Sequence, residues 1–222
     1  MNFDRLAPHY DWMEVLGAGR TMQRARVHWL EALAGCTNVL SVGEGPGRFA
    51  AAFAARYPQA RLTVVDPSAA MLARARRRVT QAAAEHRNAP LAPIAWTQAT
   101  LPEWEPPSQS FDAIVTCFFL DLFPPDRLRE IVAALAGVSA PRAIWLLTDF
   151  LPPPPGFTGV ASRALHAAMY AFFRQTTGVP ARRLTAPDAL LAAQGFALEQ
   201  RQRFTWPAVH ADLWRRTPRV EV

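Results

Sequence analysis

Short apolar runs alternate with longer amphipathic stretches from about residue 38 to residue 150. The runs 38–42, 61–66, 93–97, 110–117 and 142–149 are rich in Val, Ile, Leu and Thr, and each reads as a strand buried in a sheet. Between them, 47–57, 68–85 and 124–138 carry their apolar residues at helical spacing. Ser68 is placed to cap the second helix, and Pro124-Pro125-Asp126 opens the third with prolines suited to a first turn. This alternation predicts an α/β fold, with a parallel sheet covered by helices on both faces. Further on, 187–195 reads as a helix closed by Gly195, and two β-like runs follow at 196–204 and 208–215.

Two segments fall outside that rhythm. Residues 1–35 begin with the aromatic-rich stretch Phe3 to Met13. Residues 151–185 begin with Pro152 to Pro155, which favour a stiff, extended elbow. The stretch 158–174 then reads as a helix carrying Leu165, Met169, Tyr170, Phe172 and Phe173. Four parts of a single domain are expected: an N-terminal lid or helix (1–35), a core (36–150), a helical cap (151–185), and a C-terminal helix with two strands (186–222).

The first strand, Val39 to Val42, runs straight into Gly43-Glu44-Gly45-Pro46-Gly47 and then into an alanine-rich helix. A turn stripped of side chains lets a ligand lie on the backbone, and the helix N-terminus beside it offers unpaired N–H groups. The next strand ends in Asp66, 19 residues past Gly47. A glycine turn followed by an acid at the next strand tip is the grip for a nucleoside: backbone under the ligand, carboxylate on the ribose hydroxyls. The spacing is G-x-G-x-G with Arg48 next, whereas a dinucleotide fold calls for G-x-G-x-x-G/A.

That loop resembles motif I of the class I S-adenosylmethionine-dependent methyltransferases, which hold a sulfonium amino acid and no phosphate. Four later stretches resemble the same family in order. Pro67-Ser68-Ala69-Ala70-Met71-Leu72 is similar to its helix start, and Trp96 to Pro102 to its adenine-contacting segment, with Gln98 in the place of an acid. Ser110 to Thr116 is similar to its fourth-motif strand, and Phe118 to Phe123 to the exit loop. The opening Phe3-Asp4-Arg5-Leu6-Ala7-Pro8-His9-Tyr10-Asp11 resembles that of members acting on quinone precursors and other lipophilic small molecules, where it closes over the cofactor.

The resemblance implies the Rossmann-like class I methyltransferase fold: a mostly parallel seven-stranded sheet ending in an antiparallel hairpin. It implies S-adenosyl-L-methionine as cofactor, held by Ser41, Gly43, Glu44, Gly45, Gly47, Asp66, Pro67, Met71, Gln98, Ala99 and Thr116. Tyr10, Phe119, Tyr170 and Phe173 are expected to line the acceptor site. Ser41 stands where the family often has an acid, and Glu44 is the nearest substitute for it. Where the acceptor must lose a proton, Asp121, Asp149, His9 and His166 are the bases to consider. Two other readings stay open: a methyltransferase-like scaffold without catalysis, and a nicotinamide-dependent oxidoreductase.

Composition narrows this picture. The chain has 222 residues, half of them hydrophobic, enough for a sizeable core. Its 2 cysteines, Cys36 and Cys117, sit in or beside apolar runs, against a disulfide scaffold or a metal site and in keeping with a reducing cytoplasm. No apolar run approaches the roughly 18 residues that span a bilayer, and no signal peptide is expected at the N-terminus. The net charge is +6 and all 24 basic residues are arginine. They are scattered, with one run at Arg74, Arg76, Arg77 and Arg78 that fits a solvated helix face, so a nucleic-acid partner is not expected; the small-molecule acceptor is what the resemblance implies. Arg163, Arg174, Arg182 and Arg183 leave peripheral membrane contact open for the inserted segment.

Overall fold

The computed structural model describes residues 19–86, 91–105, 110–152, 163–164, 167, 171, 174–178, 181, 184–204 and 208–217. His9, Tyr10, His166, Tyr170 and Phe173 lie outside these residues, as do most of the lid and cap.

Seven strands form one sheet: β1 (Asn38–Val42), β2 (Arg61–Asp66), β3 (Ile94–Gln98), β4 (Phe111–Cys117), β5 (Ser139–Phe150), β6 (Phe196–Phe204) and β7 (Val209–Arg216). Their order is β3-β2-β1-β4-β5-β7-β6. The first five are parallel, while β7 runs antiparallel to both β5 and β6. The helices are α1 (Gly19–Val27), α2 (Arg48–Arg56), α3 (Ala69–His86), α4 (Pro125–Gly137) and α5 (Asp188–Ala193). This is the mostly parallel seven-stranded sheet with a terminal antiparallel hairpin that the sequence led us to expect.

The central position of β1 explains its composition: all five of its residues are buried, because helices cover both faces of the sheet there. One core holds Leu40, Ile114, Trp145 and Trp214 against α4 and Leu191 of α5. The other holds Val39, Val64, Val115 and Leu146 against α2, α3 and Leu33. β5 begins earlier than the apolar run, at Ser139, because its register against β4 shifts between Phe111 and Ala113 and takes in Ala140-Pro141-Arg142. The Ser68 cap is present, its hydroxyl accepting the Met71 N–H at 3.1 Å.

The strand order reverses between β1 and β4, and open α/β sheets hold their ligands in the crevice at such a point. α1 crosses this end of the molecule. Thr148 Oγ1 donates to the Ala25 carbonyl at 3.3 Å, and just after the helix Trp29 Nε1 donates to the Ala211 carbonyl at 2.9 Å.

Candidate functional site

Gly43, Gly45 and Gly47 all take positive φ (66°, 60° and 83°), and they are glycine for different reasons. A Cβ on Gly43 would collide with the Phe119 ring, and one on Gly47 with the backbone of Ala75 in α3. Gly47 therefore supplies the close helix approach that a dinucleotide fold assigns to its third small residue. A Cβ on Gly45 would meet nothing within 4 Å. The loop is open to a ligand at Gly45 alone.

Asp66, at the tip of β2, is buried and fixed by the same loop. Its Oδ2 accepts the Gly45 N–H at 2.9 Å, and its Oδ1 accepts the Ser68 N–H at 2.9 Å. Glu44 ties the loop down from below. Its Oε1 accepts the N–H groups of Phe49 and Ala50, both at 2.9 Å, and its Oε2 accepts the Ser41 hydroxyl at 2.5 Å. It thus caps α2, where the first N–H groups have no helical partner. Burial raises its pKa, against the hydrogen bonds from Ser41, Ala50 and Phe49 and the nearby charge of Arg26.

The resulting cleft is lined by Gly43, Glu44, Gly45, Asp66, Pro67, Met71 and Phe119, all expected from sequence. Arg26, Pro46, Arg48, Cys117, Phe118 and Leu122 also line it and were not among the expected site residues. Arg26 is buried and lies over the Phe118 ring, 4.8 Å from its centre. Phe118 holds φ at 55°, a left-handed conformation that bulky residues avoid and that occurs as local strain at functional sites. Burial pushes the Cys117 thiol up to about 12, so it is not a nucleophile at neutral pH.

The other expected cofactor residues stand apart from the cleft. Thr116 is turned into the core, where its hydroxyl accepts Trp145 Nε1 at 2.9 Å. Ser41 is spent on Glu44. Gln98 is exposed, its amide donating to the Pro67 carbonyl at 3.3 Å, and Ala99 faces a separate surface hollow with Trp104.

Asp121 and Asp149 lie in a second, larger cavity of about 520 Å³. Its apolar wall includes Phe150, Leu151, Pro152 and Leu184, and its polar wall also has Arg201, Arg203 and His210. The Asp121 N–H donates to Asp149 Oδ2 at 3.2 Å. Burial, and then the Asp121 carboxyl beside it, raise the pKa of Asp149 well above the carboxylate range. The rings of Phe118 and Phe150, 5.3 Å apart, separate this cavity from the cleft. Sequence reasoning missed Arg26 and His210 because neither stands in a motif; only the crossing of α1 and the register of β7 bring them in.

Residues 39–142 match the family model described as "Methyltransferase domain". No curated protein matches the chain. Among solved structures, the magnesium protoporphyrin IX methyltransferase of Synechocystis, holding S-adenosylhomocysteine, is similar with a TM-score of 0.64 at 14% identity, over 88% of this chain and 83% of that one. The N-methyltransferase NodS of Bradyrhizobium japonicum, with the same ligand, gives 0.63 at 14% identity over 92% and 91%. Mitomycin 7-O-methyltransferase gives 0.69 at 17% identity over 98% of this chain, which spans 61% of that protein's length. With strand order and glycine loop in agreement, the chain has the class I methyltransferase fold, and residues 39–142 within it match the methyltransferase-domain model.

Proposed function

We propose that this protein is an S-adenosylmethionine-dependent methyltransferase acting on a small, largely apolar acceptor. The observation that carries the reading is the fixed carboxylate of Asp66, held by backbone N–H groups at the crevice beside the open Gly45. In this reading Asp66 takes the ribose hydroxyls, and Met71 with Pro67 packs on the adenosine. Arg26 and Arg48, which both line the cleft, are the cations assigned to the methionine carboxylate. Glu44 supports the loop from inside. The cleft encloses about 60 Å³, less than the few hundred typical of ligand sites, so the reading includes a widening of the cleft on binding.

The bound cofactor supplies an electrophilic methyl group on a sulfonium, with a neutral thioether as leaving group. The chain's own task is alignment and exclusion of water, which contribute about 7–11 kcal/mol to lowering such a barrier. The 520 Å³ cavity beyond Phe118 and Phe150 is of a size for the acceptor. Residues 1–35 and 151–185 belong to the proposal as lid and cap of a single domain. The neighbours named for magnesium protoporphyrin IX and mitomycin support a small-molecule acceptor. Among the described residues no helix is long and apolar enough to cross a membrane.

Calorimetric titration with S-adenosylmethionine and S-adenosylhomocysteine, with NADH as control, tests the cofactor. Micromolar binding of the adenosyl ligands alone is expected, and Asp66→Ala should weaken it about tenfold or more, roughly 1.4 kcal/mol. Binding of NADH would overturn the reading. Unchanged affinity in the variant would refute the ribose assignment.

A further inference from the structure

The larger cavity contains a histidine set up as a proton acceptor. His210, on β7, is 3% exposed and lines the cavity beside Asp149, its direct neighbour across the β5–β7 ladder. Its Nδ1 lies 2.8 Å from Oδ1 of Asp212, two residues on and therefore on the same face of the strand. Asp212 has no exposed surface. It is held from two further directions: Arg201 Nε donates to its Oδ1 at 2.8 Å and Arg201 Nη2 to its Oδ2 at 2.6 Å, while Trp214 Nε1 donates at 3.3 Å. Arg201 is fixed in turn by Asp188 of α5, at 2.7 Å.

An ionised carboxylate only accepts hydrogen bonds, so the imidazole must carry its proton on Nδ1. Burial works to raise the pKa of Asp212, but the hydrogen bonds from Arg201 and His210 and the charge of Arg201 outweigh it and hold the group below the usual carboxylate value. Nε2 is left as a lone-pair nitrogen on a ring that lines the cavity. A carboxylate fixing the tautomer of a histidine that lines a cavity of this size is the arrangement of general-base catalysis.

We propose that His210 is the general base of this protein and that its acceptor carries an ionisable hydroxyl, such as a phenol or enol. The proposal rests on the methyltransferase reading above. In the step, the acceptor O–H bond breaks and its proton forms a bond to Nε2. The electron pair left on oxygen takes the methyl group as the carbon–sulfur bond breaks with its pair staying on sulfur. The imidazolium then returns its proton to water. Asp212 and Arg201 are positioning residues. Among the described residues, the charged and titratable groups that line the cavity with His210 or hold its ring are Asp121, Asp149, Asp188, Arg201, Arg203 and Asp212. The apolar wall of Phe150, Leu151, Pro152 and Leu184 suits the body of an aromatic acceptor.

The chain has 5 histidines, few enough for assignment in a protein labelled with ¹⁵N-histidine. Long-range proton–nitrogen spectra of the wild-type chain should show His210 as the Nδ1–H tautomer. The opposite tautomer would overturn the proposal without any variant. The second arm uses 4-nitrophenol, whose ionisation is read by absorbance, added to protein saturated with S-adenosylhomocysteine. Its ionisation midpoint should fall by about one pH unit or more on binding, because the proton passes to a neighbour that becomes cationic. His210→Asn keeps a donor at the Nδ1 position for Asp212 and removes Nε2. It should abolish that fall while leaving S-adenosylhomocysteine affinity within about twofold. A midpoint equal in both proteins, or failure of the phenol to bind, would overturn the proposal. Failure of wild-type protein to bind S-adenosylhomocysteine would instead sink the cofactor reading on which it stands.

Discussion

The two cavities at the carboxyl end of this sheet are built in opposite ways. The cleft over β1 is made from one continuous loop plus one strand tip: Gly43 to Gly47 and Asp66. Its polar contacts are mostly backbone N–H groups, and its carboxylates are fixed by those groups. The cavity beside β7 draws on residues from 121 to 210, and the charge network behind it is side chain on side chain: Asp188, Arg201, His210 and Asp212. The first kind of site leaves a signature in sequence, because backbone geometry dictates residue type at fixed spacing. The second leaves none, because any acid, base and histidine brought together by register will serve.

The difference gives the two sites different ways to fail. The largest effect is expected at the charge network. Asp212→Asn leaves Arg201 partly buried with half its partners and should cost about 3–5 kcal/mol, read by urea unfolding at neutral pH. The cost should shrink on acidification. Asp212 has a folded-state pKa below its ordinary value, so its stabilisation is present above the unfolded-state pKa and is lost as pH falls through the folded one. A cost independent of pH would mean the network is held by packing and not by charge.

Next comes the loop, where two glycines two residues apart should behave differently. Gly47→Ala forces a Cβ into the α3 backbone at φ 83° and should destabilise by about 2–4 kcal/mol. Gly45→Ala meets open space and should cost only the left-handed penalty, about 1–2 kcal/mol, yet lose most S-adenosylhomocysteine binding. Equal destabilisation with equal loss of binding would erase the distinction between packing glycine and ligand glycine.

The smallest effect is expected at Asp149. Its folded-state pKa is raised, so its burial opposes folding at neutral pH, and stability rises as pH falls toward the unfolded-state value. Asp149→Asn imitates the protonated form and should raise the melting temperature by about 2–4 °C at neutral pH, converging with wild type in acid. A lowered melting temperature would show that the carboxylate is needed ionised.

These contrasts also account for what could be read from the chain. The strands at 38–42 and 61–66 and the cap at Ser68 were legible because buried parallel strands are continuously apolar and caps are local. Asp66 was legible because its place at a strand tip follows from spacing. Thr116 came in with the stretch that resembles the family's fourth motif, which did not show that its hydroxyl accepts Trp145 Nε1 in the core. Gln98 was placed by its neighbours in the motif, yet its amide reaches the Pro67 carbonyl and not the cleft. Arg26 had no signal, since a helix arginine reads as solvent-facing until α1 is laid across the sheet and carries it over Phe118.

The sequence by itself determined the α/β alternation, the glycine loop and the acid at the next strand tip, because each depends on local geometry within a few tens of residues. Only the tertiary structure decided that Glu44 caps α2 from inside, that Gly45 alone of the three glycines opens to a ligand, and that His210 faces Asp149. Those facts depend on which distant backbones lie side by side, and the antiparallel register of β7 against β5 is set by the packing of the whole sheet edge.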